Sequence, residues 1–231
     1  MAPDDGEDGS DETLTVMEPR WPVALAVFTF LVITVVLRVT VPRRESINAH
    51  WVVPSIEAVL LVVLLVAHPR GRSGRAAVLL RRLSIALILA LVLAALVSTT
   101  VLITSLVKGT EVTSSADSLL ASGALVWIGN ALAFGLLYWQ LDSGGPLARH
   151  RSEHAHPDFA FSQQMSPELA PPGWRPRYVD YFILGVTTST AFSPTDVMPM
   201  VAWAKLTMAL QSLISLSVIG LVIARAVNVF S

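Results

Sequence analysis

The sequence predicts an all-α membrane protein, with about five transmembrane helices and a short re-entrant helix before the last one. Three observations predict it. The 231 residues are 53% hydrophobic and 14% charged, whereas a soluble domain carries about 25% charged residues. The apolar residues gather in long blocks, each close to the length of a bilayer crossing, with the charges between them. Near the C-terminus, Thr187, Thr188, Ser189, Thr190, Pro194 and Asp196 lie between two apolar segments. Irregular backbone at membrane depth persists only where protein buries it or water reaches it.

Composition narrows the function classes. A net charge of −1 supplies no basic field for nucleic acid. The absence of cysteine excludes disulfides, thiolate metal sites and cysteine nucleophiles. No HExxH motif, no Ser/His pair on adjacent helices and no pair of aspartates at helix centres is present, so no enzyme and no cofactor are expected. The basic residues are 14 Arg and 2 Lys, and Ala and Val are abundant, a usage associated with GC-rich bacterial genomes. The expected location is the bacterial inner (plasma) membrane, crossed several times, with the lipid bilayer as first partner.

Residues 1–19 form an acidic tail with Asp4, Asp5, Glu7, Asp8, Asp11, Glu12 and Glu18. It has too little apolar surface to fold alone, so disorder is expected, and it lacks the basic start of a signal peptide. Residues 20–142 read as a four-helix transmembrane region. The first helix covers about residues 21–41, with Trp21 at an interface and Pro22 in the first turn. The second covers about 51–67 and is interrupted near its start by Pro54 and Glu57. Arg70, Arg72, Arg75, Arg81 and Arg82 then crowd one short stretch, the strongest orientation signal in the chain. Residues 83–107 form an uninterrupted third helix with hydroxyls at 98–100. The fourth, 118–141, carries Gly123, Gly129, Asn130 and Gly135, residues suited to close helix packing. Asp142-Ser-Gly-Gly-Pro146 ends it.

Residues 143–177 read as a polar, proline-rich loop in which Pro157, Pro167, Pro171, Pro172 and Pro176 exclude long helices. His150, His154, His156 and Asp158 invite a metal reading, but no further ligand completes a shell and no metal is expected. Trp174 and Tyr178 suit an interface.

Residues 178–231 hold the candidate working part. A short helix that does not cross is expected over 178–192, then a non-helical turn at 193–195, where Pro194 removes a donor and disfavours helix at Ser193. The last helix covers about 200–230. Thr207, Gln211 and Ser215 recur at i, i+4, i+8 and form one polar stripe, with Ser212 beside it. Such a stripe either lines a cavity or joins helices in a seam.

The ungapped run from Thr188 to Pro199 resembles the pore loop of the potassium-channel family, T-x-T-T-V-G-Y-G-D-x-x-P. Thr188, Thr190, Asp196 and Pro199 fall on matching positions, and Trp203 and Lys205 sit where many such channels have Trp and a basic residue. The segment is similar, more loosely, to uncharacterised bacterial integral-membrane families with a degenerate loop after four hydrophobic segments. The resemblance implies a homo-oligomer, a tetramer in that family, acting on inorganic cations. Thr187, Thr188, Thr190, Ser193, Thr195 and Asp196 would form the constriction, and Thr207, Gln211 and Ser215 would line the cavity. The chain departs from the family at Ala191, Phe192, Ser193, Pro194 and Thr195, where the filter reads T-V-G-Y-G. Left-handed backbone costs a non-glycine residue roughly 1–2 kcal/mol, and Pro194 fixes its own φ, so this stretch does not copy a potassium filter. The expectation is an ion channel or channel-like protein without that filter. The alternative is a non-conducting scaffold or sensor that retains the loop.

The positive-inside rule puts the tail, the Arg70–Arg82 stretch and the loop ending in Arg175 and Arg177 in the cytoplasm. The loop is then expected to enter from inside, opposite to potassium channels and in an arrangement that resembles ionotropic glutamate receptors; the alternatives are an outside N-terminus or a miscounted span.

Overall fold

The computed structural model describes residues 19, 21–40, 75–108, 116–150, 156–190 and 196–230, with isolated positions between 55 and 63. The acidic tail, most of the expected second span and residues 191–195 lie outside the described residues. In chain order the elements are α1 (Trp21–Thr40), α2 (Arg75–Lys108), α3 (Ala116–Leu141), α4 (Pro146–His150), β1 (Phe159–Phe161), α5 (Ser162–Met165), α6 (Tyr178–Ser189), β2 (Val197–Pro199) and α7 (Ala202–Phe230).

Among the described residues, three stretches are long and apolar enough to cross a membrane: Arg81–Thr104, Leu119–Gly144 and Ala202–Val227. α1 carries a shorter apolar stretch, Trp21–Leu37. The reason is plain in α2, where residues 83–107 contain no charge, proline or glycine. At about 1.5 Å per residue that stretch exceeds a hydrocarbon core of roughly 30 Å.

α3 is the central helix. α1, α2, α6 and α7 all pack on it, and residues 129–140 are buried without interruption. Glycines set how closely α6 can lie. A Cβ on Gly185 would stand 2.6 Å from the Ala131 carbonyl oxygen, and one on Gly135 would stand 3.2 Å from that of Tyr181.

Side-chain contacts define two ends. At the far end Leu102, Leu119, Val126, Val218, Val222 and Ala226 form a cluster that Leu37 joins. At the near end the Arg81 side chain reaches Gly145, and the Phe159 and Trp203 rings meet edge to face at 5.5 Å. α1, α2 and α7 therefore run from the near end to the far end, and α3 runs back between them.

The proline-rich region contains more structure than the sequence suggested. β1 pairs antiparallel with β2, Phe159 opposite Pro199 and Phe161 opposite Val197. All three β1 residues are buried. This two-stranded clip lies at the near end, directly over the start of α6, because Phe161 also packs edge to face on Tyr181 at 5.2 Å.

Candidate functional site

α6 is 12 residues long, about 18 Å, and too short to cross a bilayer. It begins where the extended Arg177 donates its backbone N–H to Asp180 Oδ2 at 2.7 Å, which places an acid in the first turn. Tyr178, Tyr181, Leu184, Gly185, Thr188 and Ser189 are buried. The helix starts beside Trp139, ring to ring with Tyr178 at 6.2 Å, and ends beside Trp127. Its C-terminus thus stops inside the Leu119–Gly144 span.

A helix end within an apolar span must satisfy its last carbonyls without bulk water. Each has a partner here. Val186 O accepts from the Thr190 N–H at 3.1 Å, and Thr187 O from Thr190 Oγ1 at 2.7 Å. Thr188 O accepts from Ser212 Oγ at 3.1 Å, and Ser189 O from Trp127 Nε1 at 3.0 Å. One turn earlier, Gly185 O accepts from Gln211 Nε2 at 2.8 Å. Side chains of α3 and α7 therefore finish α6.

Gln211 is the principal member of this group. Fully buried, it also donates from Nε2 to Ser189 Oγ at 2.8 Å and accepts from Tyr138 OH at 2.6 Å. Its neighbour on the stripe, Ser215, is buried and accepts from Asn130 Nδ2 at 2.8 Å. Thr207 is half-buried, and its hydroxyl bonds back to Trp203 O and Ala204 O. Gln211 and Ser215 thus bond to α3 and α6 of the same chain.

The other sequence-predicted residues are placed as follows. Thr187 and Thr190 are half-buried at the α6 terminus, and the Thr187 hydroxyl bonds back to Ile183 O and Leu184 O. Thr188 is buried, and its Oγ1 has no hydrogen-bond partner among the described residues. Asp196 is exposed at the near end, where its carbonyl accepts from the Ser162 N–H at 2.9 Å. Ser193 and Thr195 lie outside the described residues. The segment thus starts at the near end, reaches the level of Trp127, and is back at the near end by Asp196. Of the histidine group, His156 is exposed and Asp158 is half-buried, while His154 lies outside the described residues.

A second group went unseen in the sequence. Asp142, 1% exposed, closes α3. The chain then turns through positive φ at Ser143 (50°), Gly144 (76°) and Gly145 (97°). Asp142 Oδ1 accepts from the backbone N–H groups of Asp158 (3.0 Å) and Phe159 (3.1 Å) and from Ser143 Oγ (3.2 Å). Oδ2 accepts a short hydrogen bond from Tyr181 OH and lies 4.0 Å from Arg149 Nη1. Arg149 Nη1 also donates to the α3-terminal carbonyls of Trp139 (2.7 Å) and Asp142 (2.8 Å), and its guanidinium lies 4.9 Å from the Tyr181 ring centre. The Ser143 N–H donates to Asp158 Oδ2 at 2.9 Å. One sequence signal was available: an acid at a helix C-terminus opposes the helix dipole and needs nearby donors or a cation. Asp142 has both.

At the near end, burial pushes the Asp180 carboxyl above its ordinary value. The negative charge of Asp196 adds to the rise, and Arg177 opposes it. No protein-family model, curated protein or solved structure matches the chain.

Proposed function

We propose that this chain is one subunit of an oligomeric pore-loop membrane protein, an ion channel or channel-like protein without a potassium filter. One observation carries the reading: α6 enters from the near end, stops inside the span with its carbonyls capped by α3 and α7, and the chain is back at the near end at Asp196. That course is re-entrant. On this reading the Thr187 and Thr190 hydroxyl oxygens lie within the membrane, where they favour a cation. Asp196, exposed at the opening, raises the local cation concentration. Thr187, Thr188, Thr190, Ser193, Thr195 and Asp196 form the constriction, and Thr207 faces the cavity. Gln211 and Ser215 hold α6 from behind. Several copies, four by the resemblance, surround the axis, because α1, α2, α6 and α7 of one chain all pack on α3.

α1 finishes at the far end and α2 starts at the near end, which supports a further crossing between them and about five spans in all. Arg81 shares the near end with Asp196, and by the positive-inside rule that end then faces the cytoplasm of a bacterial cell.

The second reading, a non-conducting scaffold or sensor, is favoured by the seam bonds of Gln211 and Ser215, which lie wholly inside one chain. Purified protein in planar bilayers separates the two. Wild type is expected to conduct cations, and Asp196→Asn to lower conductance and cation preference without loss of assembly. A folded, oligomeric wild type that stays silent across ions, voltage and pH selects the scaffold. Conduction that Asp196→Asn leaves unchanged removes Asp196 from the mechanism.

A further inference from the structure

We propose that Asp142 is a positioning residue for the constriction, its single buried carboxylate holding both α6 and, through β1, the strand β2. What these two arms do rests on the pore-loop reading; how they are held rests on the hydrogen bonds alone.

The two carboxylate oxygens serve different arms. Oδ2 takes the Tyr181 hydroxyl and so fixes the descending arm, α6, one turn from its start. Oδ1 takes the backbone N–H groups of Asp158 and Phe159 and so fixes β1. β1 in turn holds the rising arm. It pairs with β2 from Phe159–Pro199 to Phe161–Val197, and two flanking bonds close the clip, Met200 N–H to Asp158 O at 2.8 Å and Ser162 N–H to Asp196 O at 2.9 Å. Asp196 and Tyr181 are thus held in register by one side chain on the central helix. Arg149 keeps that side chain in place from behind while capping the α3 carbonyls. A shift of Asp142 moves both walls of the opening together.

The chain contains no cysteine, so single cysteines report on each arm. Val197 is buried in β2, and Ala226 is buried in the far-end cluster. In full-length protein in detergent, Val197→Cys reacts slowly with a maleimide. Adding Asp142→Ala is expected to speed that reaction roughly tenfold or more, the scale of lost hydrogen bonds to a buried charge. Ala226→Cys should stay protected, which separates local release from unfolding. Asp142→Asn keeps an oxygen for the two backbone donors and an amide for the Tyr181 oxygen, so it restores slow labelling. Asp142→Leu, which fills similar space without an acceptor, does not restore it. Unchanged Val197→Cys labelling in folded Asp142→Ala overturns the proposal, as does rescue by Leu equal to that by Asn. Should Asp142→Ala fail to fold, Tyr181→Phe decides. It keeps the ring against Arg149 and Phe161 and is expected to speed labelling of Thr188→Cys on α6 but not of Val197→Cys; an unchanged Thr188→Cys rate overturns the proposal. Labelling needs no current, so a silent bilayer experiment removes the pore reading and leaves this test intact.

Discussion

Gly185 and Gly220 are both glycines within helices, and the structure gives them opposite tolerances. A methyl group on Gly185 would meet the Ala131 carbonyl oxygen at 2.6 Å and the Gly135 nitrogen at 3.2 Å, both backbone atoms that cannot turn aside. Gly185→Ala must push α6 off α3 and break the Gln211–Gly185 bond with it. The expected cost is about 1–3 kcal/mol, the usual scale of overpacking. Around Gly220 nothing lies within 4 Å of a new Cβ. Gly220→Ala should change stability by no more than about 1 kcal/mol, in the stabilising direction, since alanine is the better helix former. Thermal unfolding of the two variants in one detergent checks the contrast. Equal melting temperatures would show that α3 and α6 are not in the close contact described.

α6 was legible in outline because its composition conflicts with a span. Asp180 near its start and hydroxyls at 187–190 leave too few apolar residues to cross, and Pro194 bars continuation. The clip was not legible. β1 and β2 are three residues each, one inside the proline-rich region and the other beyond it with 35 residues between them, too short for any period-2 pattern. Asp142 was hidden for a related reason. Asp-Ser-Gly-Gly-Pro reads as a helix stop, which it is, and its partner Tyr181 stands 39 positions away. The start of α6 carries a pH signature. Because Asp180 is raised by burial and by Asp196, its ionised form costs stability in the folded state. That cost is fully present above the folded value and is relieved as pH falls through it toward the ordinary 3.8 of the unfolded chain. Asp180→Asn keeps an acceptor for the Arg177 N–H without the charge. It should therefore melt higher than wild type at pH 7, with the gap closing as the pH approaches 3.8. A variant less stable than wild type at pH 7 would contradict this account.

Across the whole molecule, Arg81, Gly145, the strand clip and Asp196 gather at one end, and Leu102, Leu119 and Ala226 at the other. Two exposed positions report on orientation: Leu169 beside the clip and Val107 at the end of α2. With the near end cytoplasmic, Val107→Cys reacts with a membrane-impermeant thiol reagent in intact cells. Leu169→Cys reacts only after the membrane is opened. The reverse pattern would place the near end outside the cell and set the arginine distribution aside as a guide.

The capping of α6 by later residues has a consequence for biogenesis if the helix is re-entrant. Trp127 is in place when α6 is made, but Gln211 and Ser212, which take the Gly185 and Thr188 carbonyls, are synthesised after it. A short helix with unpaired carbonyls has no stable place in hydrocarbon. On the pore-loop reading, α6 is therefore expected to seat against α3 only after the last helix has been inserted. A nascent chain halted before Ala202 would leave its penultimate helix outside the slot, so the final segment to leave the ribosome completes a site that lies upstream of it.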